Sequence, residues 1–258
     1  MIASLAMYDR PETAHLTDTF WQGLRDHLRH QGIPSPDTLT RDPDLWAIWT
    51  SPHLLLGQTC SLPFRARLHP HLTLLGNPDL GLPETPPGQY HSVIVTRRGA
   101  ADDPAARRRL AFNDPLSQSG WAAPVAWAAH LGLAFTDLLE TGAHRDSAAA
   151  VADGRADIAA IDAHSWRLLL AHDTAITDRL QVIARTDPTP ALPYVTAFPE
   201  LAGPLRAALA AAIAGHGAPL GLQGLVQLPL SAHLCLPLPP DPWADAGKSG
   251  HSVASHNG

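Results

Sequence analysis

Three short segments gather residue types able to hold a small anion. In "NDPLSQSG", Ser117, Gln118 and Ser119 stand directly before an alanine-rich stretch that reads as a helix from about Gly120 to Ala129. The first turn of a helix carries free N–H groups and a partial positive charge. Serine hydroxyls add donors there without adding charge, and a glycine lets a ligand approach the backbone. The other reading of the same residues is that Ser117 or Ser119 caps the helix. In "TGAHRDSAAAV", Thr141 and Gly142 precede a second helix start, with His144 and Arg145 in its first turn. Cations are disfavoured at that end by the helix dipole, so either a bound anion offsets them or they point into solvent. In "ADIAAID", Asp162 ends an apolar strand, where a carboxylate either caps the next helix or accepts from a cation or hydroxyl of a solute. Tyr8 ends the first strand and offers a packing ring with a donor hydroxyl, or else is a half-buried edge of the core.

Catalytic patterns are weaker. Ser119, His144 and Asp162 occur in an order compatible with a hydrolytic triad, yet no GxSxG elbow, HExxH helix, Walker loop or dinucleotide fingerprint is present. Binding without turnover is therefore expected, with no cofactor. Fifteen histidines include "HLRH" and "HPH", which lack carboxylates or thiolates at ligand spacing, so no metal site is expected. Two cysteines, Cys60 and Cys235, form no CxxC framework. A formal charge of -6 excludes a broad basic face for nucleic acid. No apolar run approaches the ~20 residues that span a bilayer, and the N-terminus shows no basic-then-apolar export signal. The expectation is a chain whose signal has been removed or one that stays inside the cell.

Strand-like and helical runs alternate around these segments. "MIASLAM", "HLLLGQT" with its turn at Gln58 and Thr59, and "HLTLLG" read as strands; "TAHLTDTFWQGLRDHLRHQG" places Leu16, Phe20, Leu24 and Leu28 on one helical face. "DPDLWAIW" suggests a short helix. "QYHSVIVTRR" is the longest strand candidate, followed by a basic segment at Arg107 to Arg109 and the strand "RLAFN". "ADIAAID" and "LQVIART" are further strands, "AHSWRLLLAH" is helical, "DPTPALPYVTAF" is a polar strip, and Leu201 to Ala214 is an alanine-rich helix. Such alternation predicts an α/β protein of parallel sheets with helical crossovers. The middle of the chain carries its own complete alternation, so a second lobe (91–186) is expected inserted into a first (1–90 plus 187–238). Its hinge would lie near Val95 and Val182, and 239–258 is expected to be a disordered tail.

Taken together, "MIASLAMYD", "LLLGQTC", "GQYHSVIV", "NDPLSQSG", "TGAHRDSAAAVADGRADIAAID" and "DPTPALPYVT" resemble the phosphate/phosphonate-type substrate-binding proteins of ABC transporters. The resemblance spans roughly residues 1–200 in the family's order. It implies the two-lobed periplasmic-binding-protein type II fold, each lobe a mainly parallel sheet flanked by helices with a two-strand hinge. It further implies that Ser117, Gln118 and Ser119 clamp the oxyanion at a helix start, with His144 as a further donor beside Thr141. Asp162 would contact an amine or hydroxyl of the solute, Tyr8 would close from the other lobe, and Gln58 and Thr59 lie in the second loop of that lobe. Relatives often carry a cysteine near the segment that here reads Thr85-Pro86-Pro87, so Cys60 is expected free unless Cys235 reaches it.

The function expected on these grounds is a monomeric receptor that closes on a small oxyanion and hands it to an ABC permease. The family implies a periplasmic location and the chain's own start a cytoplasmic one. Two rival readings use the same scaffold: an intracellular hydrolase or biosynthetic enzyme relying on His144, and a ligand sensor read by a partner protein.

Overall fold

Continuous apolar runs become the most deeply covered strands. Leu54–Gln58 (β2) and Ile158–Asp162 (β8) are buried at every position, as strands covered on both faces must be. The computed structural model describes residues 1–42, 44–100 and 109–244.

Lobe I is built on a five-stranded sheet. Ile2–Ser4 (β1), β2, Tyr194–Thr196 (β11), Thr73–Asp79 (β3) and Gly224–Val226 (β12) lie side by side in that order. Lobe II has its own sheet, in the order Asp137–Glu140 (β7), Arg109–Phe112 (β6), β8, Ser92–Arg97 (β5) and Leu180–Arg185 (β9). Parallel pairing joins β1 to β2 and β6 to both β7 and β8. The strands by which the chain enters each lobe, β5 and β11, run against their neighbours. Both sheets are therefore mixed, and the parallel alternation expected from sequence is confined to part of each.

The crossings between lobes are not at Val95 and Val182. Those residues face one another inside the lobe II sheet, and Val95 is fully buried. The chain passes instead through Gln89–Tyr90 (β4) and Thr189–Pro190 (β10), an antiparallel pair of two residues each. "QYHSVIVTRR" is thus two strands broken at His91, because its apolar half is needed inside a sheet while its polar half bridges the lobes. The polar strip "DPTPALPYVTAF" likewise holds β10 and β11.

Helices cover the sheets. Ala14–His30 (α1) buries Phe20, Trp21, Leu24 and Leu28, with Leu16 half-buried. It packs on Ala202–His216 (α8), whose Leu205, Ala208, Leu209, Ala212 and Ile213 face inward. Alanines there let the two helix backbones draw close. Short helices Leu45–Trp49 (α2) and Ser61–Pro63 (α3) sit at the edge of lobe I, α3 running into a wide turn at Phe64–Leu68. Lobe II carries Ala123–His130 (α4), His144–Ala152 (α5), Ala163–His172 (α6) and Thr174–Thr177 (α7). Leu230–Leu234 (α9) closes the described chain's regular structure. Among the described residues no helix is long and apolar enough to cross a membrane.

The start of the segment expected to be a tail is packed. Arg65 Nη2 donates to the Pro237 carbonyl at 3.2 Å, Trp121 Nε1 donates to the Pro240 carbonyl at 2.9 Å, and the Trp243 ring lies 6.0 Å from Phe112. An aromatic ring and a carbonyl acceptor for a buried indole hold it against lobe II. Residues 245–258 and the basic pair Arg107 and Arg108 lie outside the described residues.

Leu24 is fully buried where α1 meets the core. Leu24→Ala is expected to lower the unfolding free energy by about 2–5 kcal/mol through the cavity it leaves, read as a lower urea midpoint with an unchanged slope.

Candidate functional site

The carboxyl ends of β1, β2, β6, β7 and β8 open on one cleft of about 520 Å³ between the lobes, reached by Tyr8, Cys60, Asn113, Gly142 and Asp162 respectively. That end of an α/β sheet is where ligands bind, because helix starts and loops converge there.

The turn after β6 is capped from within. Ser117 Oγ accepts the Gly120 N–H at 2.9 Å, and the Gln118 N–H is directed across the lobes to Cys60 Sγ at 3.4 Å. Gly120 is required here because a Cβ at its position would lie 1.9 Å from Asn113 Oδ1. The space that glycine leaves is thus filled by the Asn113 side chain. Ser117 thus caps this turn and also borders the cleft. Ser119 reaches the cleft too, and its hydroxyl meets His144 Nε2 at 2.9 Å.

The second helix start is open. Gly142, at φ +85°, turns the chain into the extended residue Ala143, which precedes α5 without any side-chain cap. Gly142, Ala143, His144 and Arg145 all line the cleft. Thr141, three residues before the helix, bonds to the Phe112 and Ala143 carbonyls and to Ser147 Oγ, and so stabilises the turn from behind. Burial pulls the His144 imidazole down to about 4, opposed by the pull of the Ala160 backbone carbonyl on a ring N–H, so the ring is neutral near pH 7.

Asp162 does both things its position allowed. Oδ1 accepts the His164 and Ser165 N–H groups at 2.7 and 2.9 Å, starting α6. Oδ2 accepts the Tyr8 hydroxyl of lobe I at 2.9 Å. Burial pushes this carboxyl up to about 6, although those three donors pull it down.

Arg145 does not wait for a ligand. Its Nε donates to Asp173 Oδ1 at 2.7 Å, and Arg10 of lobe I reaches Asp173 Oδ2 at 2.5 Å. Burial alone would raise the Asp173 carboxyl; the two guanidiniums outweigh it and hold it below the usual carboxylate range. The locally unfavourable cation at the start of α5 is therefore offset by a carboxylate of the protein. Asp173, distant in sequence, carried no local sign of this role.

Tyr8, Ser117, Ser119, His144 and Asp162 come together on the cleft wall. Gln58, Thr59, Gln118 and Thr141 lie behind it. Gln58 Nε2 donates to the Leu192 carbonyl at 3.3 Å, and its own carbonyl accepts from Trp49 Nε1. Thr59 is fully buried and donates its N–H to the Pro193 carbonyl. Sequence reasoning missed Arg10, Cys60 and the α2 residues Trp46 and Trp49, all of which line the cleft. Cys60 and Cys235 are both free, and burial raises the Cys60 thiol further. Among the described residues no group of three or more histidine, cysteine and acidic side chains is placed to hold a metal.

A family model described as the periplasmic phosphonate substrate-binding protein of ABC transporters matches residues 77–229. No curated protein matches the chain. Among solved structures, PhnD1 of Prochlorococcus marinus in complex with methylphosphonate is similar at 14% identity, covering 87% of this chain and 91% of that one, with a TM-score of 0.66. A Xanthomonas citri protein solved with bound ATP is similar at 15% identity over 86% and 90% of the two chains, with a TM-score of 0.64. A binding-protein component of an ABC phosphonate transporter from Pseudomonas aeruginosa gives 17% identity over 78% and 70%, with a TM-score of 0.58. The two lobes with their mixed sheets share the fold of these binding proteins, the type II periplasmic-binding-protein architecture.

Burial also lowers the imidazoles of His164, to about 3, and His233, to about 4. Three histidines are thus neutral when folded and titrate near 6.5 when unfolded. Their contribution to stability is complete above pH 6.5 and is lost as pH falls toward 4. Asp162 has the opposite sign, its raised value returning some stability between about 6 and 4, but it is one proton against three. Tm is expected to be highest above pH 6.5 and to fall steadily from 6.5 to 4.5. A flat Tm over that interval would contradict the assignment.

Proposed function

The chain belongs to the phosphonate-type substrate-binding proteins of ABC transporters, and from that premise we propose that its cleft captures a small tetrahedral oxyanion and presents it to a permease on the periplasmic side of the membrane. The observation that carries this reading is the uncapped start of α5, which opens on the cleft beside the Ser119–His144 pair. Backbone N–H groups and the helix dipole favour an anion there. The Ser119–His144 pair, which uses one proton internally, can turn a donor to the ligand without adding a charge that would need desolvating. Tyr8 borders the same space from lobe I, with its hydroxyl proton given to Asp162.

Contacts made by one ligand to both lobes favour the closed arrangement over the open one. The short crossings at β4 and β10 are the hinge in this reading, since two residues each can change dihedral angles without disturbing either sheet. Delivery then needs only that the permease favour the open state.

The Ser119–His144 distance also suits a nucleophile and its base. Two facts speak against turnover. Among the described residues no carboxylate contacts His144, and Asp162 is committed to α6 and Tyr8. An imidazole held at about 4 is a weak base at neutral pH.

Calorimetric titration with methylphosphonate is the direct test. Binding is expected, with Ser119→Ala and His144→Ala each weakening it by roughly 10- to 100-fold, the range for a lost hydrogen bond to a charged group. No heat of binding with phosphonate, phosphate or sulfonate would overturn the reading. Asp162 adds a second check: ionised above about pH 6 it opposes an anion, so a bound oxyanion raises its proton affinity and binding tightens as pH falls from 8 to 6. Asp162→Asn is expected to flatten that slope relative to the parent protein, which separates it from titration of the ligand itself.

A further inference from the structure

The cleft is larger than a bare oxyanion requires, and its two walls differ in chemistry. A methylphosphonate ion has five heavy atoms and displaces at most about five waters, ~150 Å³ at ~30 Å³ each. The cleft holds about 520 Å³, within the range of pockets that enclose drug-sized ligands. This is not the volume of lobes standing apart. Tyr8 already reaches Asp162, Arg10 already reaches Asp173, and Cys60 already meets the backbone of Gln118 across the gap.

Ser117, Ser119, His144 and Asp162 line the cleft from lobe II, and Tyr8, Asp9, Arg10 and Asp44 from lobe I. Lobe I also contributes an apolar set, Met7, Leu45, Trp46 and Trp49. These four belong to the small core built on Ile48, Leu54 and Phe64, where Met7, Leu45 and Trp46 remain only partly covered. The Trp46 ring is held in place by its neighbours. It meets Trp49 edge-on at 5.5 Å, and the Arg67 guanidinium lies 5.4 Å from its centroid. A fixed, half-covered indole in a cleft is a surface for an apolar or aromatic group. An ammonium group would find both oxygens of Asp162 engaged and would have to displace Tyr8 to reach that carboxylate.

Resting on the receptor reading above, we infer that the preferred ligand is a phosphonate bearing a bulky apolar or aromatic substituent, its oxyanion on lobe II and its substituent against Trp46, Leu45 and Met7 of lobe I. Selection is thus divided between the lobes: one recognises the charge, the other the organic group.

Titration of the purified protein with methylphosphonate, 2-aminoethylphosphonate and benzylphosphonate tests this without any variant. Benzylphosphonate is expected to bind at least ~10-fold more tightly than methylphosphonate, the gain a hydrophobic pocket gives for added apolar atoms. Trp46→Ala, checked for folding by circular dichroism, is expected to collapse that ratio toward one. A wild-type ratio of one or less, or tightest binding by 2-aminoethylphosphonate, overturns the inference and leaves oxyanion capture standing. An undiminished ratio in Trp46→Ala overturns the assignment of the substituent to the lobe I wall. No binding by any of the three overturns the receptor reading beneath it.

Discussion

The hydrogen bond from Tyr8 to Asp162 joins residues 154 apart in sequence and ties the loop after β1 in one lobe to the end of β8 in the other. Much of the site follows from how that carboxylate is accommodated. A buried carboxylate is tolerable only where its lone pairs are filled, and here two backbone amides and one phenol fill them. The amides fix where α6 begins; the phenol fixes how near lobe I can come. Compensation is incomplete, since burial still leaves the group at about 6. The contact is therefore strong enough to set geometry and weak enough to respond to a charge placed beside it.

The cations beside the polar wall are already paired. Arg145 and Arg10 both reach Asp173. Around the Asp162 carboxyl that wall offers hydroxyls, a neutral imidazole and backbone N–H groups. Such dipoles need little desolvation before a ligand arrives and are already oriented when it does, whereas a free guanidinium would have to shed water first. The Arg10–Asp173 pair has a second consequence. With Tyr8–Asp162 and Cys60–Gln118 it forms a set of interlobe contacts by which the protein's own groups support this arrangement of the lobes.

Sequence reading recovered those parts of the molecule whose signal is local. Leu54 to Leu56 and Ile158 to Ile161 are uninterrupted apolar runs, and Phe20, Leu24 and Leu28 mark a helical face; each became the element expected. Asp162 and Ser117 sat at element boundaries, where their type names a cap as readily as a ligand contact. What was missed depends on long-range pairing. β7, β10 and β11 have two to four residues, too few for a period to show, and β11 is a strand only because β2 and β3 flank it. The crossings were placed at Val95 and Val182 because apolar connectors look alike whether they bridge lobes or pair with each other. Trp46 and Trp49 read as one face of a short helix, and nothing in their spacing says that the face borders a cleft formed with residues 60 or more positions away. Gly120 read as a place for a ligand because a sequence does not show that Asn113 folds back into the same space.

The connectivity bears on selectivity. Lobe II is a single insertion held by two short strands, and the groups that would hold the oxyanion, at Ser119, His144 and Asp162, lie on it, while the indole wall lies on the lobe into which it is inserted. Binding energy for charge and for shape would then be gained on separate bodies, and only a ligand offering both, at the right separation, could draw on both while the lobes are closed. An oxyanion alone would engage lobe II without adding to the interlobe contacts beyond those already present. By the rule that a ligand shifts an equilibrium only through its differential affinity for the two states, such an ion could occupy the site and still leave the lobes' balance nearly where it was. Occupancy and closure are then distinct events in this reading, and the apolar substituent couples one to the other.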